Sequence, residues 1–326
     1  MKNLPFLIIL FFTLPFCKST KTTSTLSDNE KYIAHEGRLI GFNQNWRFLP
    51  PLNSQSLISN IKELKPQIIR YPGGTITHGW NWKTGTFSKP GKNDIVHPME
   101  DLKRLAEATG TQVVFDLDVV NSTVDDQIAM LNKAKSLGIE IKFLELGNEL
   151  YSQIHGYEVQ FPDGNAYADT VNIWVPKLRE AFPNAKIAAL HIGKTSKIAR
   201  QSTWNREAAD RIKDIDAFTY HIYLSEGNSV EGRIANFQKA YYNPENKPIW
   251  ITEYGSMVSP DREDYLPNLS ELADYIEKLP GVVMVLNHTI IGSNLKHSKL
   301  DPTTKGATFT AEGKMYLDRV QHSQRN

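Results

Sequence analysis

The chain has 326 residues, enough to bury a large core as one big α/β domain or as two ordinary ones. Its 37 Lys and Arg nearly cancel its 36 Asp and Glu, so no overall field draws it to a polyanion, and nucleic acid is not an expected partner. Six Trp and thirteen Tyr serve equally as core filling or as stacking platforms in a cleft, so position has to decide between the two.

In chain order, residues 1–17 come first: Lys2, then an apolar run from Leu4 to Phe16. That run is too short for a transmembrane helix and fits an export signal. Cys17, the only cysteine, sits where such a signal is cut. The arrangement resembles a bacterial lipoprotein signal, which implies lipidation at Cys17. The expectation is an exported outer-membrane or periplasmic lipoprotein, with display at the cell surface open to it, held to the membrane by that lipid. An ordinary secretory signal with an incidental cysteine is the alternative. In either case the mature chain forms no internal disulfide. Residues 18–30, "KSTKTTSTLSDNE", are too polar to bury apolar area and read as a disordered tether.

From 31 to 322, short β-rich runs alternate with longer helical patterns. Strands are expected at Leu39–Asn43, Gln67–Tyr71, Thr111–Asp118, Ile141–Leu146, Lys186–Leu190, Ala217–Tyr223, Pro248–Glu253 and Val282–Asn287. Helices are expected at Ser54–Leu64, Pro98–Thr109, Val124–Leu137, Tyr167–Phe182, Asn205–Ile212, Val230–Tyr241, Leu266–Leu279 and Ala311–Val320. Eight such units predict a single-domain (β/α)8 TIM barrel. An open doubly wound sheet would want a G-x-G-x-x-G loop after an early strand, and "YPGGT" at 71–75 lacks that spacing.

In a barrel, reactive side chains gather where the strands end, at the C-terminal mouth. Glu149, in "KFLELGNELY", lies just past the fourth strand, and Glu253, in "PIWITEYG", ends the seventh. Each follows an apolar run, where an unpaired carboxylate costs several kcal/mol and persists with partners or a purpose. Two carboxylates across one mouth suit glycosidic bond cleavage, one protonated and one ionised. The apolar neighbours of Glu149 are expected to raise its pKa by desolvation.

"FLELGNELY" and "WITEYG" resemble the acid/base and nucleophile motifs of clan-A retaining glycoside hydrolases. "IIRYPGGTITHGWNWKTG", residues 68–85, is similar to the second-strand segment of α-L-arabinofuranosidases, and the Glu-Leu-Gly-Asn-Glu run also looks like heparanase and β-glucuronidase relatives. The resemblance spans residues 39–290. It implies that Glu149 is the acid/base and Glu253 the nucleophile, that Asn148 contacts the sugar, and that Arg70 keeps Glu253 ionised. For Arg70, a barrel-interior ion pair with Glu145 is the alternative. His221 and Tyr223, two apart in "AFTYHIYL", share one face and line the site in the relatives; a satisfied core histidine is the competing reading for His221. Trp80, Asn81 and Trp82 read as a wall of the sugar pocket, or as a lid over apolar residues.

The remaining histidines are scattered without metal-ligand spacing, although His191 and His221 both lie near strand ends; no metal and no cofactor is expected. Asp116 and Asp118 line the end of the third strand. No G-x-S-x-G elbow is present for a serine hydrolase. The accessory β-sandwich that the resemblance to arabinofuranosidases implies is not expected here, apart from a stray strand that residues 31–38 could contribute. The expected activity is retaining hydrolysis of plant or algal polysaccharides or oligosaccharides, α-L-arabinofuranosidase-like, through a glycosyl-enzyme at Glu253. The alternatives are a glycosidase of the glucuronidase or xylosidase type and a non-catalytic glycan-binding surface lipoprotein. The sequence leaves the sugar, the linkage and the oligomeric state open.

Overall fold

The computed structural model describes residues 38–89, 94–153 and 155–323. The leader, Cys17 and the tether lie outside the described residues. Eight strands form a closed parallel barrel: β1 (Leu39–Asn43), β2 (Ile68–Tyr71), β3 (Gln112–Asp116), β4 (Phe143–Glu145), β5 (Lys186–Leu190), β6 (Ala217–Leu224), β7 (Ile249–Ser256) and β8 (Val282–His288). β8 returns to pair with β1, Leu39 standing opposite Met284, so no strand edge is left open. The helices between and after them are α1 (Gln55–Glu63), α2 (Met99–Thr109), α3 (Val124–Ser136), α4 (Gly164–Ala181), α5 (Ala199–Arg211), α6 (Val230–Ala240), α7 (Tyr265–Lys278) and α8 (Ala311–Ser323). All sixteen expected elements are present.

The strands are apolar on both faces because helices cover one and the barrel interior the other. Ile68, Val114, Ala188, Ala217, Trp250, Met284 and Leu286 fill the interior. Ile69, Phe115, Leu144, Ile187, Phe218, Ile251 and Val285 face the helices. Period-two alternation would then send Glu253 outward with Ile251. A bulge prevents this: Tyr220 pairs with Ile251 but His221 with Glu253, leaving Thr252 as the extra residue. β8 registers the same insertion, since Val285 pairs with Ile251 and Asn287 with Tyr254. With two residues of β7 opposite one gap, both Thr252 and Glu253 face the mouth.

Two helix starts differ from expectation. α4 begins at Gly164 because the Asp163 side chain accepts from Ala166 N–H and caps it. α5 begins at Ala199 rather than Asn205, in a polar turn that periodicity does not mark. Arg200 fixes that turn by donating to the carbonyls of Phe161 (2.8 Å) and Tyr151 (2.5 Å).

At Gly41 the chains of β1 and β2 come so close that an added Cβ would lie 1.7 Å from the Ile68 carbonyl oxygen. Gly41→Ala should therefore destabilise the barrel by at least about 2 kcal/mol, read as a lowered urea midpoint. An unchanged midpoint would contradict the strand spacing described.

Candidate active site

Arg70, at the end of β2, is fully buried among carboxylates. Its Nε is 2.6 Å from Glu145 Oε2, Nη1 is 2.7 Å from Glu253 Oε1 and Nη2 is 2.9 Å from Asp116 Oδ2. Nη2 also donates to Asn148 Oδ1 at 3.0 Å. Both sequence readings of Arg70 hold at once: it pairs with Glu145 and it holds Glu253. One cation against three acids leaves negative charge in excess. Burial, offset by Arg70 but reinforced by Glu145, pushes the Asp116 carboxyl up to about 7.

Glu253 goes the other way. Burial alone would raise its pKa, yet His221, Arg70 and His288, with a hydrogen bond from Tyr223, hold it far below the usual carboxylate range. The Tyr223 hydroxyl donates to Glu253 Oε2 at 2.6 Å, so each carboxylate oxygen has its own donor. Such a group is an ionised carboxylate with its orientation fixed.

His221 links the two glutamates. Its Nδ1 is 2.9 Å from Glu149 Oε1 and 3.8 Å from Glu253 Oε2. Its Nε2 is 3.2 Å from Thr252 Oγ1, and that hydroxyl donates to Glu145 Oε1 at 2.8 Å. Because Thr252 gives its only proton to Glu145, its oxygen must accept from His221, which places a proton on Nε2. The remaining ring nitrogen, Nδ1, then faces Glu149 Oε1. Burial disfavours the imidazolium, but Glu253 and Glu149 outweigh burial and raise the His221 pKa.

Glu149 departs from the sequence reading of a carboxyl desolvated by its strand. β4 stops at Glu145, and Gly147 (φ 92°) and Glu149 (φ 43°) turn the chain into the mouth. The Glu149 side chain is 35% exposed, so its partners, His221 and the Tyr151 hydroxyl at 3.4 Å, set its environment more than the apolar run does. A non-glycine residue at positive φ costs on the order of 1 kcal/mol, and such strain concentrates at functional sites.

Asn148 is held from both sides. Arg70 fixes its side chain, and its backbone N–H donates to His78 Nε2 at 3.1 Å, while His78 Nδ1 lies 3.1 Å from Asp118 Oδ1. Neither His78 nor Asp118 stood out in the sequence as support for this turn, since their pairing joins loops 40 residues apart. His288, at the end of β8, faces Asn43 Nδ2 at 3.0 Å and was likewise not singled out.

Trp80, Asn81 and Trp82 all line a cleft next to His78 and Asp118. Trp80–Asn81 and Thr86–Phe87 pair as a two-stranded ribbon beside this cleft of ≈ 600 Å³, which Tyr157 also lines. The Trp80 indole donates to Tyr71 (2.9 Å), and the Asn81 side chain accepts from Lys83 and Thr84 in its own turn. Trp82, half-buried and bonded to Asp126, lines the cleft with them. Glu149, His221 and Tyr223 line a different pocket of ≈ 240 Å³. His191 belongs to the core: it stacks on Phe218 at 3.8 Å, and burial lowers its pKa to about 3. Among the described residues, no three His, Cys, Asp or Glu side chains converge on a metal site.

Residues 166–289 match the family model of the glycosyl hydrolase catalytic core. The match contains His221, Tyr223 and Glu253 and begins after Glu149. No curated protein matches the chain. Among solved structures, an α-L-arabinofuranosidase from Thermotoga maritima in complex with arabinose superposes with a TM-score of 0.62 at 14% identity, covering 90% of this chain and 71% of that one. A GH128 endo-β-1,3-glucanase from Sorangium cellulosum gives 0.50 at 15%, covering 86% and 97%. A GH128 oligosaccharide-binding protein from Trichoderma gamsii gives 0.51 at 14%, covering 89% and 96%. At these identities the likeness establishes the clan-A-like barrel; together with the family model it supports a glycoside hydrolase.

The His221 geometry makes two measurable statements. In ¹⁵N-histidine spectra, His221 should keep Nε2 protonated at every pH and titrate at Nδ1 above the ordinary imidazole value of about 6.5, and Thr252→Val should release that tautomer preference. A neutral Nδ1–H form in the wild type would contradict the assignment. A pKa raised by folding contributes stability that is complete below about 6.5 and is lost as pH rises through the folded value. His221→Asn should therefore lose less stability than the wild type between neutral and alkaline pH, read from urea midpoints.

Proposed function

We propose that the protein is a retaining glycoside hydrolase, α-L-arabinofuranosidase-like, acting on plant or algal polysaccharides or oligosaccharides. The observation that carries the reading is the single imidazole nitrogen within 4 Å of two differently prepared carboxyl groups, one buried and ionised, the other partly exposed and held by that nitrogen. In this reading Glu253 attacks the anomeric carbon while Glu149 gives its proton to the departing glycosidic oxygen. The C–O bond to the leaving group breaks as the bond to Glu253 forms. Water then attacks the glycosyl-enzyme with Glu149 as base, which releases Glu253 and restores the proton.

Contacts of 2.9 and 3.8 Å to one nitrogen are compatible with the short carboxyl separation of retaining enzymes, about 5–5.5 Å. His221 would supply the proton store that lets Glu149 alternate between acid and base. The same barrel also occurs in the Trichoderma gamsii oligosaccharide-binding protein, which gives a binding-only reading a counterpart. The complete carboxylate pair argues against it here. By its leader, the chain would be exported and anchored through a lipid at Cys17.

A screen of aryl α-L-arabinofuranoside, β-xyloside, β-glucuronide and β-galactoside should reveal turnover of at least one. Glu253→Ala should lower kcat for that substrate by at least about 10³-fold, whereas activity within tenfold of the wild type would overturn the nucleophile assignment. Cys17→Ala should move the protein from the membrane to the soluble fraction of producing cells, and an unchanged membrane fraction would overturn the anchor.

A further inference from the structure

The two buried arginines at the mouth are treated in opposite ways. Arg70 meets three carboxylates. Arg233, on α6, is 7% exposed yet meets none among the described residues. Its Nε donates to the Tyr223 carbonyl (2.8 Å) and Nη2 to the His221 carbonyl (3.4 Å), while Nη1 has no partner. Neutral carbonyls orient a guanidinium without neutralising it. Burial costs a lone ion several kcal/mol, and here it lowers the Arg233 pKa to about 10, partly countered by Tyr151. A cation kept at that cost beside a pocket is unfinished without an anion.

Arg233 lies on the wall of the ≈ 240 Å³ pocket, together with Lys194 and Glu149. Lys194 is exposed at the rim and forms no ion pair among the described residues. The only carboxylate on the pocket wall is Glu149, whose Oε1 is already engaged by His221 and Tyr151. Glu253 does not line this pocket, which places it on the side of the residue read as proton donor to the leaving group.

We propose that this pocket binds an anionic sugar on the leaving-group side of the scissile bond, its carboxylate or sulfate ester neutralising Arg233 with Lys194 at the entrance. The site makes the substrate an acidic oligosaccharide, and it rests on the reading of Glu149 as acid/base only for which side of the bond it occupies. With Nε and Nη2 already given to carbonyls and Nη1 buried, Arg233 attracts either group by its charge, so a carboxylate and a sulfate ester are equally suited.

The test is an NMR binding titration of the full-length protein with D-glucuronate, D-galacturonate, glucose 6-sulfate, inorganic sulfate and neutral glucose, at low and high salt. At least one acidic sugar should bind tenfold or more tightly than glucose and weaken as salt rises. The uronates binding alone identify a carboxylate, and the sulfated sugar alone identifies a sulfate ester. Lys194→Glu, at an exposed position, should weaken the acidic sugar about threefold or more, and Arg233→Met about tenfold or more with a native circular dichroism spectrum. Equal binding of acidic and neutral sugars would overturn the proposal. So would insensitivity to Lys194→Glu, or inorganic sulfate binding as tightly as the sugars. Acidic sugars that bind while no aryl glycoside is cleaved would remove the catalytic reading and leave the pocket standing. Turnover of aryl glycosides without acid preference would do the reverse.

Discussion

The architecture of the mouth depends on one guanidinium. Arg70 sits at full burial with Glu145, Asp116 and Glu253 all within 3 Å of its nitrogens. Taking four charges out of water is expensive, and removing one partner would leave the others unpaired. The cluster therefore reads as an arrangement kept for what it positions. Arg70 ties β2, β3, β4 and β7 to one point and holds Asn148, and with it the turn that presents Glu149. The carboxylate it holds most usefully is Glu253, because Tyr223 and His221 add to the same effect there.

Around that centre, proton placement follows from hydrogen-bond bookkeeping. Glu145 takes the Thr252 proton, Thr252 takes the Nε2 proton of His221, and the remaining His221 nitrogen faces Glu149. A buried acid that does no chemistry itself thus dictates the tautomer of the residue beside the candidate acid/base. The β7 bulge makes this possible, since without the extra residue Thr252 and Glu253 could not share the inner face.

Much of this was legible in the chain. Eight apolar strands with helices between them gave the barrel, because alternation and helix stops are local signals. That Glu149, Glu253, Arg70, His221 and Tyr223 meet was legible because strand ends in a barrel converge, while the roles expected of them came from the family resemblance. The bulge at Thr252 was not, since nothing in "WITEYG" marks which residue is extra. The His78–Asp118 support for Asn148 depends on two loops meeting in space, which spacing along the chain does not encode. The local duties of Trp80 and Asn81 were hidden for a related reason: their side chains serve Tyr71 and a local turn, contacts that spacing along the chain does not encode. The exposure of Glu149 was hidden too, because the strand ends four residues before it and two residues at positive φ redirect the chain.

The central claim is that Glu253 becomes covalently bonded to the sugar during turnover. Mass spectrometry of the Glu149→Ala protein, incubated with an activated aryl glycoside whose leaving group needs no proton, tests it most directly. Removing the base that activates water should let the intermediate accumulate. The account predicts a peptide containing Glu253 heavier by one glycosyl unit. Steady release of the aryl group with no adduct on Glu253, or an adduct on another residue, would contradict it.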